Sequence, residues 1–225
     1  MPPWGFGMSR DPQREESPPL QGGEDVKERV AADTGATFAV VPQTPDVRLV
    51  AEQTDLPVVA QHVDAADPGR GMGRILPETL RQAGAGGVFL NHAENRDTLA
   101  DIERKVSRCR KTGLEAIVCV DSLAMARAVA AFDPDAVVFE KPDDIATDRA
   151  ITRTHPDLVQ EFVALVARGT DRTRAVVGGG IRSGEDARRA FELGADATGA
   201  ASAVSAAEDP ETRLVEFGRA VASND

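Results

Sequence analysis

Short apolar, β-branched runs alternate with stretches of helical periodicity along most of this chain. That alternation constrains the fold more than any single motif. The runs are 37–41, 57–63, 88–91, 115–120, 136–140, 174–177 and 195–200. Helical patterns follow them at 45–53, 77–83, 98–111, 123–131, 156–167, 183–193 and 209–222, and one more, 24–33, precedes the first and is ended by Gly35. Gly113 reads as a helix stop, Pro156 as a first-turn residue and Ser183 as an N-cap. The sixth run is followed by a loop to about Thr154. Strictly alternating β and α units require a parallel sheet, because parallel neighbours are joined by helical crossovers. A chain of 225 residues fits one such domain. Seven strands are evident, and an eighth would close a (β/α)8 barrel.

The eighth strand has to come from residues 1–23, which are rich in Pro, Gly and charge (PPWGFGMSRDPQREESPPLQGG from residue 2). They lack a β-branched run, so a strand at Trp4 to Met8 is expected to be short and irregular. The expected division is an irregular N-terminal segment, 1–23, and a barrel domain, 24–225. An open doubly wound sheet is the rival. It would carry a GxGxxG turn after its first strand and gather its polar strand ends at one crevice, and neither is seen here.

Net charge is −11, with 37 acidic against 26 basic residues, and Arg greatly outnumbers Lys. An acidic surface disfavours nucleic acid and anionic membranes as partners. It suits solubility at high salt, so a halophilic setting is one reading and an ordinary acidic protein the other. Cys109 and Cys119 have no metal-ligand spacing around them and read as structural, reduced thiols. The N-terminus shows no secretory pattern, and no apolar run is long enough to span a bilayer. A cytoplasmic location is expected.

Two strand ends carry the chemistry. Gly87 to Leu90 runs directly into Asn91-His92-Ala93-Glu94-Asn95, and Ala136 to Phe139 runs into Glu140-Lys141-Pro142. Parallel α/β folds bind ligands at the carboxyl ends of their strands, and a histidine and a glutamate presented there suit proton transfer. Taken alone, each has a structural reading: a hydrogen-bonded histidine, or a carboxylate in a cap or ion pair. His62 and His155 read as structural.

The motifs VPQTPD (41–46), VVAQHVD (58–64), ILPETL (75–80), FLNHAEN (89–95), FEKPDDI (139–145), GGGIRSGEDA (178–187) and GADATGAASAV (194–204), in order and at these spacings, resemble the triosephosphate isomerase family, archaeal-type branch. The resemblance runs from about Gly35 to Val221. It implies interconversion of dihydroxyacetone phosphate and glyceraldehyde 3-phosphate in glycolysis and gluconeogenesis, without metal or organic cofactor. By resemblance, Glu140 is the base, His92 a neutral electrophile and Glu94 a supporting acid. The segment 141–149 is the lid, with Ala146 offering its N–H. Gly178, Gly179, Gly180, Gly199, Ala201 and Ser202 supply the phosphate site. The family also implies a homo-oligomer, dimer or tetramer, with the Asp67 to Arg74 loop and its Met72 at the interface.

The sequence departs from the family pattern in four segments. The family's first strand ends in Asn-x-Lys, but no lysine precedes Lys27 here, and the corresponding places fall near Trp4 and Phe6. Two lid glycines are Ala146 and Asp148, a serine is Ala93, and the glycine after Ala201-Ser202 is Ala203. Losing one preorganised cationic donor costs about 2.7–4 kcal/mol of transition-state stabilisation. Arg10, Lys141 and Arg74 are candidate replacement cations. The expectation is an isomerase with weakened or altered activity. The alternative is a paralogue of the same barrel, either without catalysis in a binding or regulatory role, or moving a proton on another carbonyl compound.

Overall fold

The computed structural model describes residues 4–7, 36–142, 149–169 and 172–222. Eight strands are present among the described residues: β1 Trp4–Gly7, β2 Thr37–Val40, β3 Val59–Ala60, β4 Gly87–Leu90, β5 Glu115–Val120, β6 Ala136–Phe139, β7 Arg174–Val177 and β8 Ala197–Ala200. They lie in the order β2-β1-β8-β7-β6-β5-β4-β3, every pair parallel. A single bridge, Val40 to Val58, joins the two ends and closes the barrel. The weak first strand is four residues long and is inserted between β2 and β8, with Phe6 opposite Ala39 on one side and Gly199 on the other.

Side chains alternate along each strand, as the pleat requires. Ala39, Val59, Ile117, Cys119, Ala136, Val138, Val176 and Ala197 form one buried cluster and fill the barrel axis. The intervening residues, such as Ala116, Val118, Val137, Phe139, Ala175 and Val177, pack outward in a second cluster with the helices. Four of the eight axial residues are Ala or Cys. Small side chains suit the narrow interior of an eight-stranded barrel.

Described helices are α1 Val47–Gln53, preceded by a 3-10 turn at Thr44–Asp46, α2 Pro77–Gln82, α3 Leu99–Thr112, α4 Leu123–Ala130, α5 Ile151–Thr154, α6 Pro156–Gly169, α7 Gly184–Glu192, α8 Ser202–Ser205 and α9 Pro210–Ala222. The expected caps are in place. Thr98 Oγ1 accepts the Asp101 N–H, Gly113 ends α3 in the left-handed region, and Ser183 and Asp186 form a reciprocal capping box on α7. The expected helix 24–33 lies outside the described residues. Cys109 and Cys119 are buried free thiols, and burial pushes the Cys109 thiol up to about 12.

Two expectations need correction, and one element was not expected. The strand expected over 57–63 pairs with β4 only at Val59 and Ala60. Beyond it, Asp64 exchanges hydrogen bonds with Ile75, its N–H donating to the Ile75 carbonyl and its carboxylate accepting the Ile75 N–H, so the chain turns to its own return loop. The loop expected to run to Thr154 ends instead in a turn of helix, α5. The β-branched Ile151, Thr152 and Thr154 give no helical signal, and the turn is held from outside: Arg189 Nε donates to the Thr152 carbonyl. The unexpected element is the short helix α8, which begins one residue after β8 and is too brief for any periodic pattern.

Candidate active site

Glu140 follows Ala136 and Val138 in alternation, so its side chain belongs to the axial set, at the carboxyl mouth of the barrel. Its neighbour Phe139 faces the other way and stacks on Phe162 of α6, ring centroids 5.0 Å apart. The Glu140 N–H donates to the Val120 carbonyl at 3.0 Å, and the Gly178 N–H donates to the Phe139 carbonyl at 3.1 Å. The carboxylate rests against Gly178, where a Cβ would stand 2.2 Å from Oε1. Only glycine leaves that space. Burial pushes the Glu140 carboxyl above the usual range. The Glu94 charge acts in the same direction, while His92 and Arg96 oppose it.

His92 reaches the same place from β4. Asn91 ends the strand at φ 58° and is buried, so the chain swings His92 over the mouth. Asparagine is among the few residues that take this conformation readily. His92 Nε2 stands 3.7 Å from Glu140 Oε2. On the other ring face, the Glu94 N–H donates to His92 Nδ1 at 3.3 Å. An accepting Nδ1 carries the lone pair, so the ring proton sits on Nε2, on the side of Glu140. The Glu94 carboxylate is 85% exposed and 3.7 Å from His92 Nδ1, so its backbone, more than its acid, is engaged with the ring.

The glycine turn lies alongside. β7 and β8 are paired through Val177 and Thr198, so Gly178, the first residue past β7, lies beside Gly199 of β8. Gly179 and Gly180 have φ of 88° and 70°. A Cβ on Gly180 would meet the Arg149 carbonyl, and the Ile151 N–H donates to the Gly179 carbonyl. Ala201 and Ser202 are exposed at the start of α8. Ala146 and Asp148 lie outside the described residues, as does Arg10.

Of the candidate cations, Arg74 pairs with Asp64 at 2.7 Å. It lines a cavity of about 540 Å³ with His62, Asp64, Asn95 and Lys105, whose lining includes neither His92 nor Glu140. The groups lining that cavity largely satisfy one another, Asn95 meeting His62 at 2.9 Å. Lys141 is half-buried beside Glu140. Arg96, which the sequence reading did not single out, pairs with Asp121 at 2.9 Å and lends Glu140 positive potential. Asn91 and Asp97 were also missed. A polar residue ending an apolar strand is the one signal that could have marked Asn91. Among the described residues no three His, Cys, Asp or Glu side chains gather as a metal site would require.

Comparison with known proteins bears on this arrangement. Residues 20–218 match the family model described as triosephosphate isomerase. The chain is 37% identical over 192 residues to the triosephosphate isomerase of Methanocaldococcus jannaschii, covering 85% of this chain and 88% of that protein. It is 38% identical over 207 residues to that of Caldivirga maquilingensis, covering 90% and 92%. The chain belongs to the triosephosphate isomerase family. Its relatives named here are archaeal, in keeping with the archaeal-type motifs. The sequence has no lysine before Lys27. β1 itself is retained, as Trp4–Gly7.

Proposed function

We propose that this protein interconverts dihydroxyacetone phosphate and glyceraldehyde 3-phosphate. The observation that carries the reading is the pair His92 Nε2 and Glu140 Oε2, 3.7 Å apart at the barrel mouth of a triosephosphate isomerase family member. Glu140 takes the proton from the carbon beside the carbonyl and returns it to the neighbouring carbon. A carboxyl raised by burial is a better base for that step than a solvated one. The neutral His92 donates its Nε2–H to the carbonyl oxygen as it becomes an enediolate. This family is itself a standard worked case of such tuning. Glu94 holds the ring from behind through its N–H. The backbone of Gly178, Gly179 and Gly180, with Gly199, Ala201 and Ser202, receives the substrate phosphate, and Ala146 reaches it from the segment 141–149. Residues 24–225 form the barrel, and 1–23 supply its first strand. The protein works in the cytoplasm as a homo-oligomer, with Met72 at the interface and without a metal or organic cofactor.

The test is a coupled isomerase assay on preparations free of host isomerase, at low and high salt. Wild type is compared with Glu140→Gln and His92→Ala. Activity that both variants abolish supports the reading, and activity at background in wild type overturns it. The absence of a lysine before Lys27 favours a second reading, proton transfer on an uncharged carbonyl compound or a binding role. Thermal-shift titration separates the two. Stabilisation by phosphate or a phosphoglycolate-like anion supports the isomerase, and stabilisation only by neutral carbonyl ligands supports the alternative.

A further inference from the structure

The loop that carries His92 is tied shut at its base. Asn91 opens it at the end of β4, and Asp97 closes it one residue before the Thr98 cap of α3. Two hydrogen bonds join them in opposite directions. The Asn91 N–H donates to Asp97 Oδ2 at 3.1 Å, and the Asp97 N–H donates to Asn91 Oδ1 at 3.0 Å. Asn91 Nδ2 also donates to the Cys119 carbonyl of β5 at 2.8 Å. The remaining oxygen, Asp97 Oδ1, receives Lys105 Nζ from the second turn of α3 at 2.6 Å. Lys105 and Asp97 are 4% and 9% exposed.

A buried ion pair is a poor device for stability alone, because desolvating both charges offsets most of their attraction. Closing the loop needs only an acceptor for the Asn91 N–H, which an uncharged side chain could offer. The charge adds direction. Lys105 fixes one oxygen of Asp97 through a short, charge-assisted bond, so the other is aimed at the Asn91 N–H in a single rotamer. The Asn91 peptide sets where the chain leaves β4. His92 is the next residue, and its Nδ1 meets the Glu94 N–H only if the turn keeps its shape.

We propose that Asp97 and Lys105 are a positioning pair for His92, holding its ring direction and its Nε2–H tautomer through the closed 91–97 loop. The kinetic side of this rests on the isomerase reading, and the spectroscopic side does not. The experiment uses full-length wild type, Asp97→Asn, Lys105→Met and the double variant Asp97→Asn/Lys105→Met, all measured well below their melting temperatures. The double variant leaves no unpaired buried charge and keeps an acceptor for the Asn91 N–H, so its melting temperature is expected to return close to that of wild type. Ring ¹⁵N spectra are then recorded. The chain has three histidines, so His92 is assigned by the signal lost in His92→Gln. The expected result is one tautomer in wild type and a mixture in the double variant. With it goes a fall in kcat of about tenfold or more at nearly constant KM, as small misplacements of a reacting group produce. A wild-type His92 spectrum in the double variant would overturn the proposal and leave the pair a structural one. Because the spectra need no turnover, they decide the matter even if wild type proves to have no isomerase activity.

Discussion

Glu140 lies across the backbone of Gly178 so closely that a single added methyl group would stand 2.2 Å from its Oε1. Gly178 does not have a positive φ, so alanine there meets no backbone objection, and the cost falls on the carboxylate. Gly178→Ala is expected to fold and to lower kcat by about a hundredfold, the scale of an ångström's misplacement, with a smaller change in KM. Steady-state kinetics check this. A variant with wild-type kcat would mean that Glu140 works from another position.

Burial holds the Glu140 carboxyl above its ordinary value of 4.5. The folded protein therefore binds this proton more tightly than the unfolded chain does. The stability this contributes is complete below the ordinary value and is lost as pH rises through the folded one. Above the folded value the ionised carboxylate is a net cost, as catalytic groups commonly are. Glu140→Gln is expected to melt above wild type at about pH 7, with the gain shrinking as the pH falls toward 4.5. Melting curves across that range test it, and a gain that grew on acidification would contradict it.

Asp186 is 1% exposed and gathers the turn that follows Gly180. Its Oδ2 accepts from the Arg182 N–H, the Ser183 N–H and the Ser183 hydroxyl, and Arg153 Nε of α5 stands 2.9 Å from Oδ1. Asp186→Ala removes the capping box and this link together. A loss of about 2–4 kcal/mol is expected from the cap and the charged hydrogen bonds. Urea denaturation measures it, and a loss below about 1 kcal/mol, the worth of a typical cap alone, would show that the link to α5 adds nothing.

The chain carries a net charge of −11. Raising salt from 0.1 M to 1 M shortens the screening length from about 10 Å to about 3 Å. Self-repulsion then falls, and melting temperature is expected to rise over that range of KCl. A steady fall would show that the surface ion pairs, such as Arg96 with Asp121, outweigh the repulsion.

Met72 is fully exposed in the 67–74 loop, the segment proposed to lie at the subunit interface. In sedimentation at micromolar concentration, wild type is expected to exceed the 23.8 kDa of one chain. Met72→Glu is expected to shift it toward the monomer. A monomeric wild type would rule out the assembly proposed above.

The fold was legible because its signals are periodic. Glu115–Val120 and Arg174–Val177 stand where the apolar runs put them, and Gly113 and Ser183 end and cap their helices through chemistry written in those residues. What escaped has no local signature. Helix α5 exists because Arg189 and Gly179 receive it, and β3 is short because Asp64 prefers Ile75. The site divides the same way. His92 and Glu140 announced themselves as polar groups ending apolar strands. The Asn91–Asp97–Lys105 tie spans 15 residues and is visible only once α3 is laid beside the strand it follows.

The circumference of the barrel is not uniform. β4, β5, β6 and β7 are bonded along full ladders, whereas β2 meets the far edge at the single Val40–Val58 bridge. Mechanically this is less a hoop than a curved sheet fastened by one clasp. Loosening that clasp sacrifices little, while the His92 and Glu140 strands lie in the half that would be slowest to exchange its amide hydrogens. Local opening at the seam can therefore proceed without disturbing the catalytic half, which makes the seam a natural place for this chain to tolerate insertion or cleavage.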